Sequence, residues 1–218
     1  MNAEHLAQQL SSALANRRLL DHPFYRRWEA GALVPGELGA YAAQYRHFET
    51  SVPGVLRQLL DQLDEGPAAA LVRRNLADEE SNPEAHVLLF ERFAAAVGAP
   101  SQAPPTAATQ HLLDTYRRLI DAGGAEGLAA LVAYEIQAPE IAASKADGLR
   151  RHHDLDETAT HFWDVHATMD IEHAEWAIEA LAALPTTADA VFDAAATAAE
   201  SWWAFLDDRE AAAAPVIA

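Results

Sequence analysis

Apolar residues recur every three or four positions along almost the whole of this 218-residue chain, and no alternating run exceeds a few residues. That is the period of a helix face and not of a strand, so the fold class is all-α. The length suits one domain with a substantial core, and residues 1–218 are expected to form a single helical bundle. A first helix is read through residues 3–20 and a short second one through 22–31. A long helix from Pro35 to about Leu63 is expected to kink at Pro53, where the ring removes a backbone hydrogen bond. Residues 66–80 and 82–98 read as two helices meeting at a corner, the second with Asn82 as its cap, Pro83 at its first position and Gly98 at its end. Further helical patterns cover 107–124, 125–151 with a bend at Pro139, 156–184 and 187–208. The tail, "AAAAPVIA", is expected to fray.

Charge and composition exclude several function classes. A net charge of −18 repels phosphate backbones, and the arginine pairs are scattered, so nucleic acid is not an expected partner. No apolar run is long enough to span a membrane, and the start, "MNAEHLAQQL", lacks the pattern of a signal peptide, so no membrane partner and a cytoplasmic location are expected. With no cysteine there is no thiolate nucleophile and no sulfur ligand, so any metal must be held by nitrogen and oxygen. Fourteen of the fifteen basic residues are arginine, and Lys145 is the only lysine. Arginine-favouring codon usage explains that equally with a position that needs an amine able to lose its proton.

The segment "HATMDIEH" concentrates metal-ligating side chains. At 100° per residue, His166, Asp170 and His173 lie within about 60° of one another on a helix surface, so one ion or a close pair can be reached by all three. Asp170 and His173 stand in the i, i+3 relation of the Glu-x-x-His pairs in helical di-metal bundles, with Asp in place of Glu. A solvated acidic face would give the same spacing. Glu135, in "LAALVAYEI", shares a face with Leu128, Leu131 and Val132, where a carboxylate is costly unless paired or bound to a cation. Glu79, Glu80 and His86 flank the corner at Asn82 and Pro83, so a helical count cannot place them on one face.

With its flanks, "LLDHPFYRRWEAGAL", "YAAQYRHF", "NLADEESNPEAHVLLFERFAAAVG", "AYEIQAPEIAASK" and "HATMDIEHAEWA", the chain resembles the haem-oxygenase-like di-metal oxidases, and among them the CADD-type para-aminobenzoate synthases. The resemblance covers nearly the whole chain and implies a haem-oxygenase-like bundle of about seven to eight helices, together with a homodimer. The superfamily's pattern of Glu-x6-His, a lone Glu and His-x3-Asp-x2-His implies Glu79, His86, Glu135, His166, Asp170 and His173 as ligands, with Glu80 the neighbour confusable with Glu79. It implies two divalent ions, Fe/Fe or Fe/Mn, with O2 and an external reductant as co-substrates. By the same resemblance Tyr25 is consumed as the source of the aromatic ring, Lys145 is the amino donor, and Tyr134 relays an electron or radical. The product would feed folate synthesis, with one turnover per chain. Where the family can carry a tyrosine four residues before His166, this chain has Phe162, which puts a second redox tyrosine there in doubt.

Other readings stay open beside it. Tyr25 also suits an aromatic core cluster with Phe24 and Trp28. Tyr41, Tyr45 and His47 read as core or cavity lining, with His47 a candidate to face the site; Trp202 and Trp203 read as packing, and His152 with His153 as a solvated helix end. The same ligands serve a di-iron oxygenase acting on a diffusible amine, amino acid or fatty acid, and a metal-free helical binding protein is the third alternative. A haem oxygenase would have His22 as its only early axial candidate and would leave the other six residues unexplained.

Overall fold

A computed structural model describes residues 2–213, and among these every regular element is helical. The helices are α1 (Ala3–Ala13), α2 (Pro23–Glu29), α3 (Pro35–Glu49), α4 (Val52–Asp61), α5 (Pro67–Ser81), α6 (His86–Ala96), α7 (Ala107–Ala122), α8 (Gly124–Glu135), α9 (Ala138–His153), α10 (Glu157–Ala182) and α11 (Ala188–Ala213). Two 3₁₀ turns, Ala15–Arg17 and Leu19–Asp21, take the place of the end of the first expected helix. The described residues thus form eleven α-helices where about seven to eight were expected, because long helical patterns are cut at prolines and turns. Residues 214–218, most of the tail expected to fray, lie outside the described residues.

Two of the cuts follow one rule. Pro53 has no N–H for the carbonyl of Glu49 and its ring crowds that carbonyl, so α3 stops at Glu49 and α4 begins with Pro53 in its first turn. Pro139 stands in the same relation to Glu135, so what reads as one bent helix over 125–151 is α8 and α9. Each cut leaves a buried glutamate at a helix C-terminus. The corner after α5 also differs from expectation. Asn82 does not cap a following helix: its side-chain amide donates to Asp78 Oδ1 at 2.9 Å and its backbone N–H to the Asp78 carbonyl, closing α5. Pro83 holds Asn82 in extended backbone, and α6 starts only at His86.

The long helix α10 is packed on by α5, α6, α8 and α9, while α11 covers α7 and α8. Helix α2 is pinned to α9 at Gly148, where a Cβ would come within 2.9 Å of the Trp28 ring. That close approach lets Trp28 Nε1 donate to the Lys145 carbonyl at 3.2 Å. The contact sets the helix bearing Tyr25 against the helix bearing Lys145. No helix among the described residues is long and apolar enough to cross a membrane.

Candidate active site

Four helices, α5, α6, α8 and α10, converge on a buried cluster of imidazoles and carboxylates. Glu79 from α5, His86 from α6 and His166 from α10 each present a ligating atom, all within 4.8 Å of one another. His173 Nδ1 lies 3.5 Å from Asp170 and 4.0 Å from Glu79, and Glu135 of α8 is buried close enough to raise the affinity of His173 for a proton. All six residues of the sequence pattern are buried; ligand-atom distances join five of them, and Glu135 is tied to the group through its electrostatic influence on His173. Glu80 points away, paired with Arg57 on the surface.

Each imidazole has one nitrogen facing a protein acceptor. His86 Nε2 faces the Asn82 carbonyl at 2.9 Å, His166 Nδ1 faces the Phe162 carbonyl at 2.8 Å, and His173 Nε2 faces Asp78 Oδ2 at 3.4 Å. An N–H pointing at each acceptor leaves the other nitrogen of each ring, once neutral, to offer its lone pair to the cluster. The corner at Asn82 therefore has a purpose: it supplies the carbonyl that fixes His86.

The electrostatics fit a cation centre. Burial pushes the Glu135 carboxyl up to about 8, partly opposed by His173 and by the Asn75 amide, which donates to its Oε1 at 2.8 Å. Burial would lower His173, but Asp170, Glu135 and Glu79 outweigh it and raise the ring to about 9. His86 is raised in the same way, burial being outweighed by Glu79, whereas His166 is lowered by burial. Buried ligating atoms are left over: Glu135 Oε2 and His86 Nδ1 have no hydrogen-bond partner among the described residues. His86 Nδ1 approaches Glu79 Oε2 to 3.0 Å without the alignment of a hydrogen bond. Two atoms so placed can share one ion, and nitrogen and oxygen donors suit iron or manganese.

A second constellation lies beside the first. Lys145, 1 % exposed, has its amine 4.7 Å from the centre of the Tyr25 ring, 4.9 Å from Tyr45 and 4.0 Å from Trp163. It donates to the Tyr41 hydroxyl at 2.7 Å, and that hydroxyl lies 2.9 Å from the Tyr25 hydroxyl. Burial holds the amine well below the usual lysine range, with Glu49 only partly restoring the charged form. Lys145 is therefore disposed to be a neutral amine with a lone pair. Tyr134 is half-buried, hydrogen-bonded to the Tyr45 hydroxyl at 2.8 Å and stacked on Trp202 at 4.4 Å.

Several secondary expectations change. His47 turns from the cluster to the Ala103 carbonyl, 2.9 Å away. His22 is no axial ligand: Nδ1 accepts from the Phe24 N–H as the α2 cap, and Nε2 faces Asp207 at 3.0 Å. Phe162 packs its ring 4.1 Å from that of His166. Trp202 is buried packing, Trp203 lies edge-on to His22, and His152 is exposed at the end of α9. Sequence reasoning missed Asp78, Asn75 and Glu49, and it took Tyr41 only as lining. Glu49 carried one usable signal, its place four residues before a proline, which it shares with Glu135.

Residues 39–203 match the model of a family described as iron-containing redox enzymes. The 4-aminobenzoate synthase of Nitrosomonas europaea is 36 % identical, over 92 % of this chain and 89 % of that protein. Among solved structures, a CADD-like protein of unknown function from Nostoc punctiforme superposes with a TM-score of 0.81 at 18 % identity, covering 97 % of this chain and 98 % of the other. A domain of unknown function with a haem-oxygenase-like fold from Shewanella denitrificans gives 0.74 at 16 % identity, over 96 % and 90 % of the two chains. The chain belongs to the iron-containing redox enzymes of haem-oxygenase-like fold, on the branch of the 4-aminobenzoate synthases, and is an oxidoreductase.

Proposed function

We propose that the protein is a single-turnover, O2-dependent di-metal oxidase that makes para-aminobenzoate from its own Tyr25 side chain, with Lys145 as amino donor. The observation that carries this reading is the placement of the Lys145 amine 4.7 Å from the centre of the Tyr25 ring, inside a cage of aromatic rings. A lone lysine buried among rings, with no carboxylate at hydrogen-bond distance, is poorly explained as a structural residue. The name of the Nitrosomonas europaea relative supports the same product.

In this reading Glu79, His86, Glu135, His166, Asp170 and His173 hold two divalent ions, iron with iron or with manganese. When bound, the ions supply electrons that activate O2, an external reductant providing the balance. The protein's own contribution is placement. The Tyr41 hydroxyl accepts from Lys145 and shares a hydrogen bond with the Tyr25 hydroxyl, fixing ring and amine relative to each other. Burial disfavours the charged form of Lys145, as suits a nitrogen donor, and the rings of Trp28, Tyr45 and Trp163 surround the amine. Tyr134, adjacent to Glu135 and bonded to Tyr45, joins the two constellations and is suited to relay an oxidising equivalent.

The test is mass spectrometry of small molecules released after anaerobic loading with Fe(II) and Mn(II), followed by O2 and a reductant. Para-aminobenzoate at no more than one per chain, lost in Tyr25→Phe, is the expected result. Consumption of O2 without that product would instead indicate an oxidase for a diffusible substrate.

A further inference from the structure

One buried carboxylate is left over by the site so far described. Glu49, the last residue of α3, is 3 % exposed, and its Oε1 has no hydrogen-bond partner among the described residues. An unsatisfied buried polar atom is costly, and more so if it is charged, so its retention calls for a partner that the side chains do not supply. Lys145 is not that partner, because its amine donates to Tyr41 and sits among the rings. The groups whose charge Glu49 feels most are carboxylates of the cluster, Glu79 and then Asp170. As an anion a side chain so placed needs a cation between it and its neighbours; without one, burial and the two like charges favour its protonated form.

We propose that Glu49 is a fourth carboxylate of the metal centre, ligating one of its two ions. The proposal rests on the di-metal reading above. The proline cut that ends α3 at Glu49 is the same device that ends α8 at Glu135, so two helix C-termini deliver their last side chain to the core in one manner.

The test is anaerobic calorimetric titration of the metal-free full chain with Mn(II), with low-temperature electron paramagnetic resonance of the loaded protein. The wild type is expected to take up two Mn(II) per chain and to show the spectrum of a coupled pair. Glu49→Gln, of nearly the same shape, is expected to keep the first ion, bind the second at least about tenfold more weakly and show isolated Mn(II). Its metal-free melting temperature should equal or exceed that of the wild type, since a buried carboxyl has been replaced by an amide. Two ions bound by Glu49→Gln with wild-type affinity and coupling would overturn the proposal while leaving the di-metal reading intact. A wild type that takes up no Mn(II) would overturn both. If Glu49→Gln does not fold, Glu49→Asp decides instead: a shortened carboxylate should weaken the second ion, and wild-type affinity there would overturn the proposal.

Discussion

The Lys145 amine and the Tyr25 hydroxyl are bridged by a single oxygen, that of Tyr41, at 2.7 Å and 2.9 Å. The bridge lies beside the cluster of imidazoles and carboxylates, and α10 serves both: Trp163, a wall of the lysine cage, precedes His166 by three residues. One turn of helix thus links the two constellations.

The state of Lys145 gives the first prediction. Lys145→Met keeps the length and removes an amine whose charged form burial disfavours, so it should fold with stability within about 1 kcal/mol of wild type and release no product. Lys145→Arg should fare worse, because a guanidinium cannot shed its charge inside the cage. The cost should be about 3 kcal/mol or more, read as a lowered melting temperature.

Tyr41→Phe keeps the ring stacked on Phe24 and Tyr45 but deprives both Lys145 and Tyr25 of a partner. A loss of about 1–3 kcal/mol in denaturant unfolding should accompany a large drop in product. Metal uptake should stay at the wild-type level, which separates this variant from a ligand variant.

The acceptor behind His173 can be tested against a neighbour that differs only in direction. Asp78→Asn should weaken Mn(II) binding about 10–100-fold by loosening the tautomer and orientation of His173. Glu80→Gln, which loses only a surface pair with Arg57, should change neither metal affinity nor, beyond about 1 kcal/mol, stability.

Metal affinity should rise with pH. In the metal-free protein Glu135 holds its proton up to about 8 and His173 up to about 9, and both must release it to bind an ion. Below these values protons compete with the metal, so the logarithm of the Mn(II) association constant should climb by about two per pH unit near pH 7 and flatten above about 9. Titration calorimetry in buffers of different ionisation enthalpy would count the protons released.

The fold and part of the site were legible in the sequence for different reasons. Helical periodicity sufficed for the class, and His166, Asp170 and His173 were readable as one face because α10 runs unbroken through them. Glu79 and His86 were not readable by spacing, since residues 82–85 interrupt the helix, and only the family resemblance joined them. The prolines were noticed but read as bends, although a ring that blocks the carbonyl four residues earlier ends a helix when the flanking segments have separate surfaces to bury. Asp78 and Tyr41 act through partners on other helices, a relation that no local pattern carries. Glu49 stands in "RHFETSVPG" with no signal but its place four residues before Pro53, and its burial without a partner is what marks it.

The central claim is that the chain is its own substrate, and the fate of residue 25 tests it most directly. Protein loaded anaerobically with metal is exposed to O2 and reductant, digested and mapped by mass spectrometry. The account predicts that the peptide containing position 25 loses its tyrosyl side chain in proportion to the para-aminobenzoate released, up to one per chain. An intact Tyr25 in protein that has released product would contradict it.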